Sequence, residues 1–181
     1  MSKTGLRAVV LVAVIALLGV ASYAVAGGSK HKLKEVTLEG YQENPDVSTS
    51  AIGSFEAIVA PDDQSLTYTV DYSGLEGTVT QSHIHFGKLA VNGGISIWLC
   101  GTAALPGPAG TPVCPASGSV TRTVTAAEVV GPAAQGIDTL QFAEIIAAIR
   151  AGRAYANVHS SRFPGGEIRA QINDREGEKD D

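Results

Sequence analysis

Phe55-Glu56-Ala57-Ile58-Val59 is followed, one residue on, by Pro61-Asp62-Asp63-Gln64 and then by Leu66-Thr67-Tyr68-Thr69-Val70-Asp71-Tyr72. Large apolar and polar residues alternate on both sides of a cluster of turn formers. A two-residue period places alternate side chains on opposite faces of a strand, so each run has one face for a core and one for water. The pair predicts an antiparallel hairpin. Toward the N-terminus, Val36, Leu38 and Gly40 alternate with Thr37 and Glu39. Toward the C-terminus, strand candidates follow at His83 to Phe86, Ile95 to Leu99, Gly118 to Val124, Tyr155 to His159 and Glu167 to Ile172. Eight or so short strands with frequent turn signals predict an all-β, antiparallel Greek-key β-sandwich. One segment departs from the pattern. Asp138 to Gly152 carries Leu140, Ile145 and Ile149 at helical spacing, a capping-type Asp at its start and Gly at its end, which predicts one short helix before the last two strands. Ala126 to Val130 reads as a further short turn, capped by Thr125.

The chain has 181 residues, 44% hydrophobic, 6% aromatic and 17% charged. That is one domain with a core of ordinary size. Thirteen basic against 18 acidic residues give a net charge of -5, which argues against nucleic acid as a partner. Residues 1–28 have the order of a secretory signal peptide: Lys3 and Arg7, an apolar run from Ala8 to Val20, then Ala24-Val25-Ala26-Gly27-Gly28. An uncleaved membrane anchor is the alternative, since Ala8 to Ala26 nears the roughly 20 apolar residues that span a bilayer. Cleavage leaves 11 basic and 18 acidic residues, a charge of -7. The domain is expected over residues 33–173 and a disordered acidic tail over 174–181. The expected location is secreted, periplasmic or cell surface, with membrane contact only if the leader is uncleaved. In such a compartment Cys100 and Cys114 are expected to form a disulfide that pins the Gly/Ala/Pro-rich loop between them.

His83-Ile84-His85 is the most informative chemical motif. On a strand both imidazoles share a face, while Ser82, Ile84 and Phe86 point the other way. His159 ends another strand candidate. If the two strands pair, His83, His85 and His159 converge in a set suited to zinc or copper. The plainer reading has these imidazoles hydrogen-bonding only with loop groups. Glu167 and Arg169 follow the turn Pro164-Gly165-Gly166 on one face. They are candidates either to orient a histidine or to form an ion pair that fixes a hairpin. Glu43, in Gln42-Glu43-Asn44-Pro45, reads as a solvated carboxylate. His31 would be a third-position Cu(II) ligand if the leader were cut after Gly28. No phosphate loop, Gly-x-Ser-x-Gly elbow or His-Glu-x-x-His helix is present, so no catalytic residue is assigned.

Several of these segments together resemble the CHRD domain, named after chordin. They are Leu38-Glu39-Gly40 with Gln42-Glu43-Asn44-Pro45, Ala51-Ile52-Gly53, Leu66-Thr67-Tyr68, Gly74-Leu75, His83-Ile84-His85 with Asn92-Gly93-Gly94, Asn157-Val158-His159, and Phe163-Pro164-Gly165-Gly166-Glu167-Ile168-Arg169. The likeness runs from about Leu33 to Ile172. Ala170 departs from it, standing where the family usually has Gly, and so does the single Pro45 in place of a longer proline-rich stretch. The resemblance implies an exported β-sandwich, immunoglobulin-like or superoxide-dismutase-like, and an extracellular protein or glycan as partner. The His-x-His strand is also similar to the copper-binding strand of copper-zinc superoxide dismutase, although the histidine-rich zinc loop is missing. Two functions follow as expectations. One is a non-catalytic binding or structural module able to hold copper or zinc at His83, His85 and His159. The other is a copper-dependent redox enzyme.

Overall fold

A computed structural model describes residues 30–172. The leader at 1–28 and the acidic tail at 174–181 lie outside the described residues. Nine strands run in chain order: β1 His31–Lys32, β2 Val36–Glu39, β3 Ile52–Val59, β4 Leu66–Ser73, β5 Val79–Phe86, β6 Gly94–Gly101, β7 Gly118–Val124, β8 Ala154–Ser160 and β9 Ile168–Ile172, with one helix, α1 Phe142–Arg150, between β7 and β8. Among the described residues the fold is all-β with a single α-helix before the last two strands, as the patterning predicts.

The hairpin from which the sequence was read forms β3 and β4, with Phe55 opposite Val70 and Val59 opposite Leu66. Its turn closes through Ala60 N–H to Ser65 O and Asp63 N–H to Ala60 O. The strand order is β6-β5-β8-β9-β2-β3-β4-β7, with β1 added to β3, and every pairing between strands is antiparallel. β7 returns to pair with β4, and β8 with β5. These long returns past two intervening strands are Greek-key crossovers.

The sheet curls back on itself, so its halves face one another across the core. β2 and β9 join the halves on one side through Glu39 opposite Arg169. On the other side an antiparallel bridge from Ile97 to Val129 brings the two ends of the strand order together. Tyr68 spans the interior, its hydroxyl donating to Leu99 O at 2.6 Å. Phe55, Tyr68, Val70, Ile84, Ile97, Leu99, Val158 and Ile168 are all fully buried between the halves. Alternation explains this set, because each is an inward position of its strand.

Helix α1 is shorter than its sequence pattern. It starts at Phe142, not Asp138, because Leu140 takes a left-handed conformation at φ 70° and its side chain stays 63% exposed. Asp138 does not cap; its own N–H donates to Gln141 Oε1. Ile145 and Ile149 are buried as their spacing predicts. The short turn at Ala126–Glu128 carries a full capping box, with Thr125 and Glu128 satisfying each other's backbone donors. Cys100 and Cys114 are joined in a disulfide. The loop it closes is also held by Cys114 N–H to Gly101 O and Gly101 N–H to Pro112 O. No helix among the described residues is long and apolar enough to cross a membrane.

Candidate metal centre

All seven residues of β8 are buried, which simple alternation does not predict. Ala154, Ala156 and Val158 face the core. Tyr155, Asn157 and His159 face outward, yet each is covered, Tyr155 by the loop at 87–93, Asn157 by Glu43 of the loop at 40–47 and His159 by the turn at Pro164. The covering is built by polar groups on neighbouring strands. Arg169 on β9 donates to Lys88 O, Val91 O and Asn92 Oδ1, and Gln171 donates to Gly87 O and Gly152 O. Asn92 in turn donates to Asn44 O and ties the two loops together.

Under this cover β5 and β8 lie side by side, with His83 opposite Asn157, His85 opposite Tyr155, and His159 opposite Gln81. His83, His85 and His159 are 0%, 7% and 6% exposed. Each offers a nitrogen, and the three nitrogens lie within 4.8 Å of one another. The strand-pair condition set by the sequence is thus met. Ile84 between the two histidines faces the core, as expected. The register between β5 and β6 shifts beside each histidine, and such bulges re-aim side chains near sites.

The proton positions follow from the partners. A carbonyl only accepts, so His159 Nδ1–H donates to Pro164 O at 2.9 Å and His85 Nδ1–H donates to Gly93 O at 3.0 Å. The Nε2 of each then carries a lone pair. His83 Nδ1–H donates to His159 Nε2 at 3.2 Å, leaving His83 Nε2 as a second acceptor. His83 Nε2 and His85 Nε2 are both buried without a hydrogen-bond partner. Burial holds all three rings neutral. It pushes His83 down to about 2, helped by the two neighbouring imidazoles, and His85 and His159 down to about 4 against the pull of their carbonyl partners.

Aromatic rings wall the cluster. Trp98 meets His83 edge-on with centroids 4.3 Å apart. Tyr155 stacks on His85 at 4.7 Å and 2° between planes, and Arg169 Cζ lies 3.4 Å from the Tyr155 centroid. Tyr155 also accepts from Gly93 N–H at 3.0 Å, so one tyrosine braces both the ring and the carbonyl that orients it. A backbone carbonyl fixing the tautomer of a histidine is the usual support of a metal ligand.

The two other candidates do different things. Glu167 is fully buried, and its Oε1 accepts from Thr49 Oγ1 and Glu76 N–H. Arg169 holds the 88–92 loop and packs on the ring of Tyr155, against which His85 also stacks. Among the described residues the two are not paired with each other, because each reaches toward a different loop. Glu43 is not a solvated carboxylate: it is 6% exposed and accepts from Asn157 Nδ2. Burial pushes it up to about 7, against the lowering pull of Arg169 and Asn157. Gly166, at φ 132°, sits where a side chain would strike Asn157 and Glu43, so this glycine is required by close approach as well as by conformation. His31 lies in β1 on the opposite half of the sheet. Tyr155, Trp98, Asn157 and Gly93 were not singled out as site residues by the sequence. The spacing Tyr155-x-Asn157-x-His159 held the clue, since it places all three on one strand face.

The family model for the CHRD domain matches residues 35–172. That span contains every strand from the second onward and all three clustered histidines. Neither a curated protein nor a solved structure matches the chain. With the family's model covering most of its length, this chain belongs to the CHRD domain family.

Proposed function

We propose that this CHRD domain is an exported binding module that holds one transition-metal ion, copper or zinc, on His83, His85 and His159. The observation that carries the reading is the pair of buried, unpartnered acceptors at His83 Nε2 and His85 Nε2 beside a third imidazole. A buried polar atom without a partner costs about 1–3 kcal/mol. The loop carbonyls engage only the Nδ1 of His85 and His159 and leave these two acceptors open. The donor set supports the same reading, because imidazole suits zinc and copper, and the rings are held neutral as ligands must be. Export is supported by the family and by the disulfide. An extracellular protein or glycan is the partner proposed for the module.

Copper-dependent redox turnover is the second reading. Three protein nitrogens leave a coordination position for a small ligand, which favours it. The test is calorimetric titration of the chelator-stripped protein with copper and zinc, beside His83→Ala/His85→Ala. One equivalent bound and lost in the variant establishes the centre, and binding retained by the variant rejects it. Superoxide and ascorbate-oxidation assays on the loaded protein then decide between holding and turnover.

A further inference from the structure

The inference below rests on the metal-centre reading and names the ion. An imidazole that binds a metal ion does so as an uncharged donor, and among the described residues no carboxylate or thiolate joins the three within ligating distance of one another. The donor set therefore brings no negative charge to offset that of an ion. The site is also buried: His83 is fully covered, and His85 and His159 nearly so. A fixed positive charge stands close by, because His85 and Arg169 both pack against the ring of Tyr155. The buried carboxyl of Glu43 is bonded to Asn157 and not to a histidine.

The cost of removing an ion from water rises with the square of its charge, so a divalent ion costs about four times as much as a monovalent one of like size. In a site of neutral donors flanked by a guanidinium, no ligating carboxylate or thiolate helps to offset that difference. A divalent ion would have to bring an anion such as hydroxide with it. Sodium and potassium favour oxygen donors, whereas copper in its monovalent state accepts nitrogen. We propose that the His83, His85 and His159 cluster is a Cu(I) site, selecting the monovalent ion over Zn(II) and Cu(II) by its neutral donors, its burial and the Arg169 charge beside it.

The full chain carrying His31→Ala, which removes the histidine outside the cluster, is the protein to test. Cu(I), kept reduced by ascorbate and competed with bicinchoninate, is titrated anaerobically, and Zn(II) and Cu(II) are titrated separately. Trp98 is the single tryptophan and touches His83, so its fluorescence reports filling of the site. The expected result is one equivalent of Cu(I) held at least a hundredfold more tightly than Zn(II), with the bound Cu(II)/Cu(I) couple raised above that of aqueous copper. Arg169→Met should cut that preference at least tenfold, and Arg169→Lys, which keeps the charge, should retain it. Zn(II) or Cu(II) bound as tightly as Cu(I) overturns the selectivity while leaving a metal centre in place. A preference unchanged in a folded Arg169→Met protein overturns the charge argument. Binding of none of the three ions overturns the metal-centre reading and the selectivity together.

Discussion

His83 Nδ1 lies 3.2 Å from His159 Nε2, and because His159 donates its one ring N–H to Pro164 O, the contact is a hydrogen bond between two neutral imidazoles in which His83 donates. Protonating either ring would place a charge in a buried cluster of three.

The pH dependence of stability follows from that. The folded-state pKa values of about 2 and 4 lie below the ordinary value of 6.5. As pH falls below 6.5 the unfolded chain takes up protons that the folded chain refuses. Stability is therefore full above 6.5 and falls toward pH 4, by up to about 1.4 kcal/mol per pH unit for each histidine. Urea unfolding of the metal-free protein at pH 7.5, 5.5 and 4.5 measures this. A midpoint that does not move over that range contradicts the neutral cluster.

Glu43 runs the other way. Its folded value of about 7 exceeds the ordinary 4.5, so the folded state keeps a proton that the unfolded state releases. Its contribution is full below 4.5 and is lost as pH rises to 7. Glu43→Gln should therefore exceed wild type by about 2–3 kcal/mol at pH 8 and match it near pH 4.5. A variant less stable than wild type at pH 8 would mean that the ionised carboxylate is favoured, through Arg169, more than burial opposes it. One such group offsets part of the acid loss from three histidines.

Tyr155→Phe keeps the ring that stacks on His85 and removes the hydroxyl that accepts from Gly93 N–H. Stability should drop by about 1 kcal/mol. If the carbonyl of Gly93 orients His85, metal affinity should also drop about 10- to 100-fold. Parallel thermal melts and metal titrations separate the two effects, and unchanged affinity would show that His85 is oriented without this brace.

The loop from Gly101 to Val113 has few large side chains, and the bond between Cys100 and Cys114 closes it over 14 residues. Cys100→Ser/Cys114→Ser should cost about 3 kcal/mol, read from chemical denaturation, with little effect on metal affinity. A loss below about 1 kcal/mol would mean that the backbone bonds from Gly101 and Cys114 already hold the loop.

Local pattern was enough for much of this protein. The alternation in Phe55 to Val59 and Leu66 to Tyr72, broken by Pro61 to Gln64, carries its hairpin in short-range chemistry, because burial on one face and turn geometry act over a few residues. The same period put His83 and His85 on one face and Ile84 on the other. The start of α1 was not legible from Asp138, because the chain turns through a left-handed Leu140 that propensity disfavours. The deeper gap was the outward face of β5, β8 and β9. Local alternation marks that face as exposed and puts Arg169 in water, just as its place in a turn puts Glu43 there. Only the folded chain brings loops 40–47 and 87–93 across it, held by Arg169, Gln171 and Asn92 through bonds between residues 48 to 84 positions apart. Which strands pair, and what covers them, is settled by long-range contacts that no window of sequence contains. The chain itself supplied three histidines and the faces they occupy, and the Greek-key pairing of β5 with β8 made them one buried cluster.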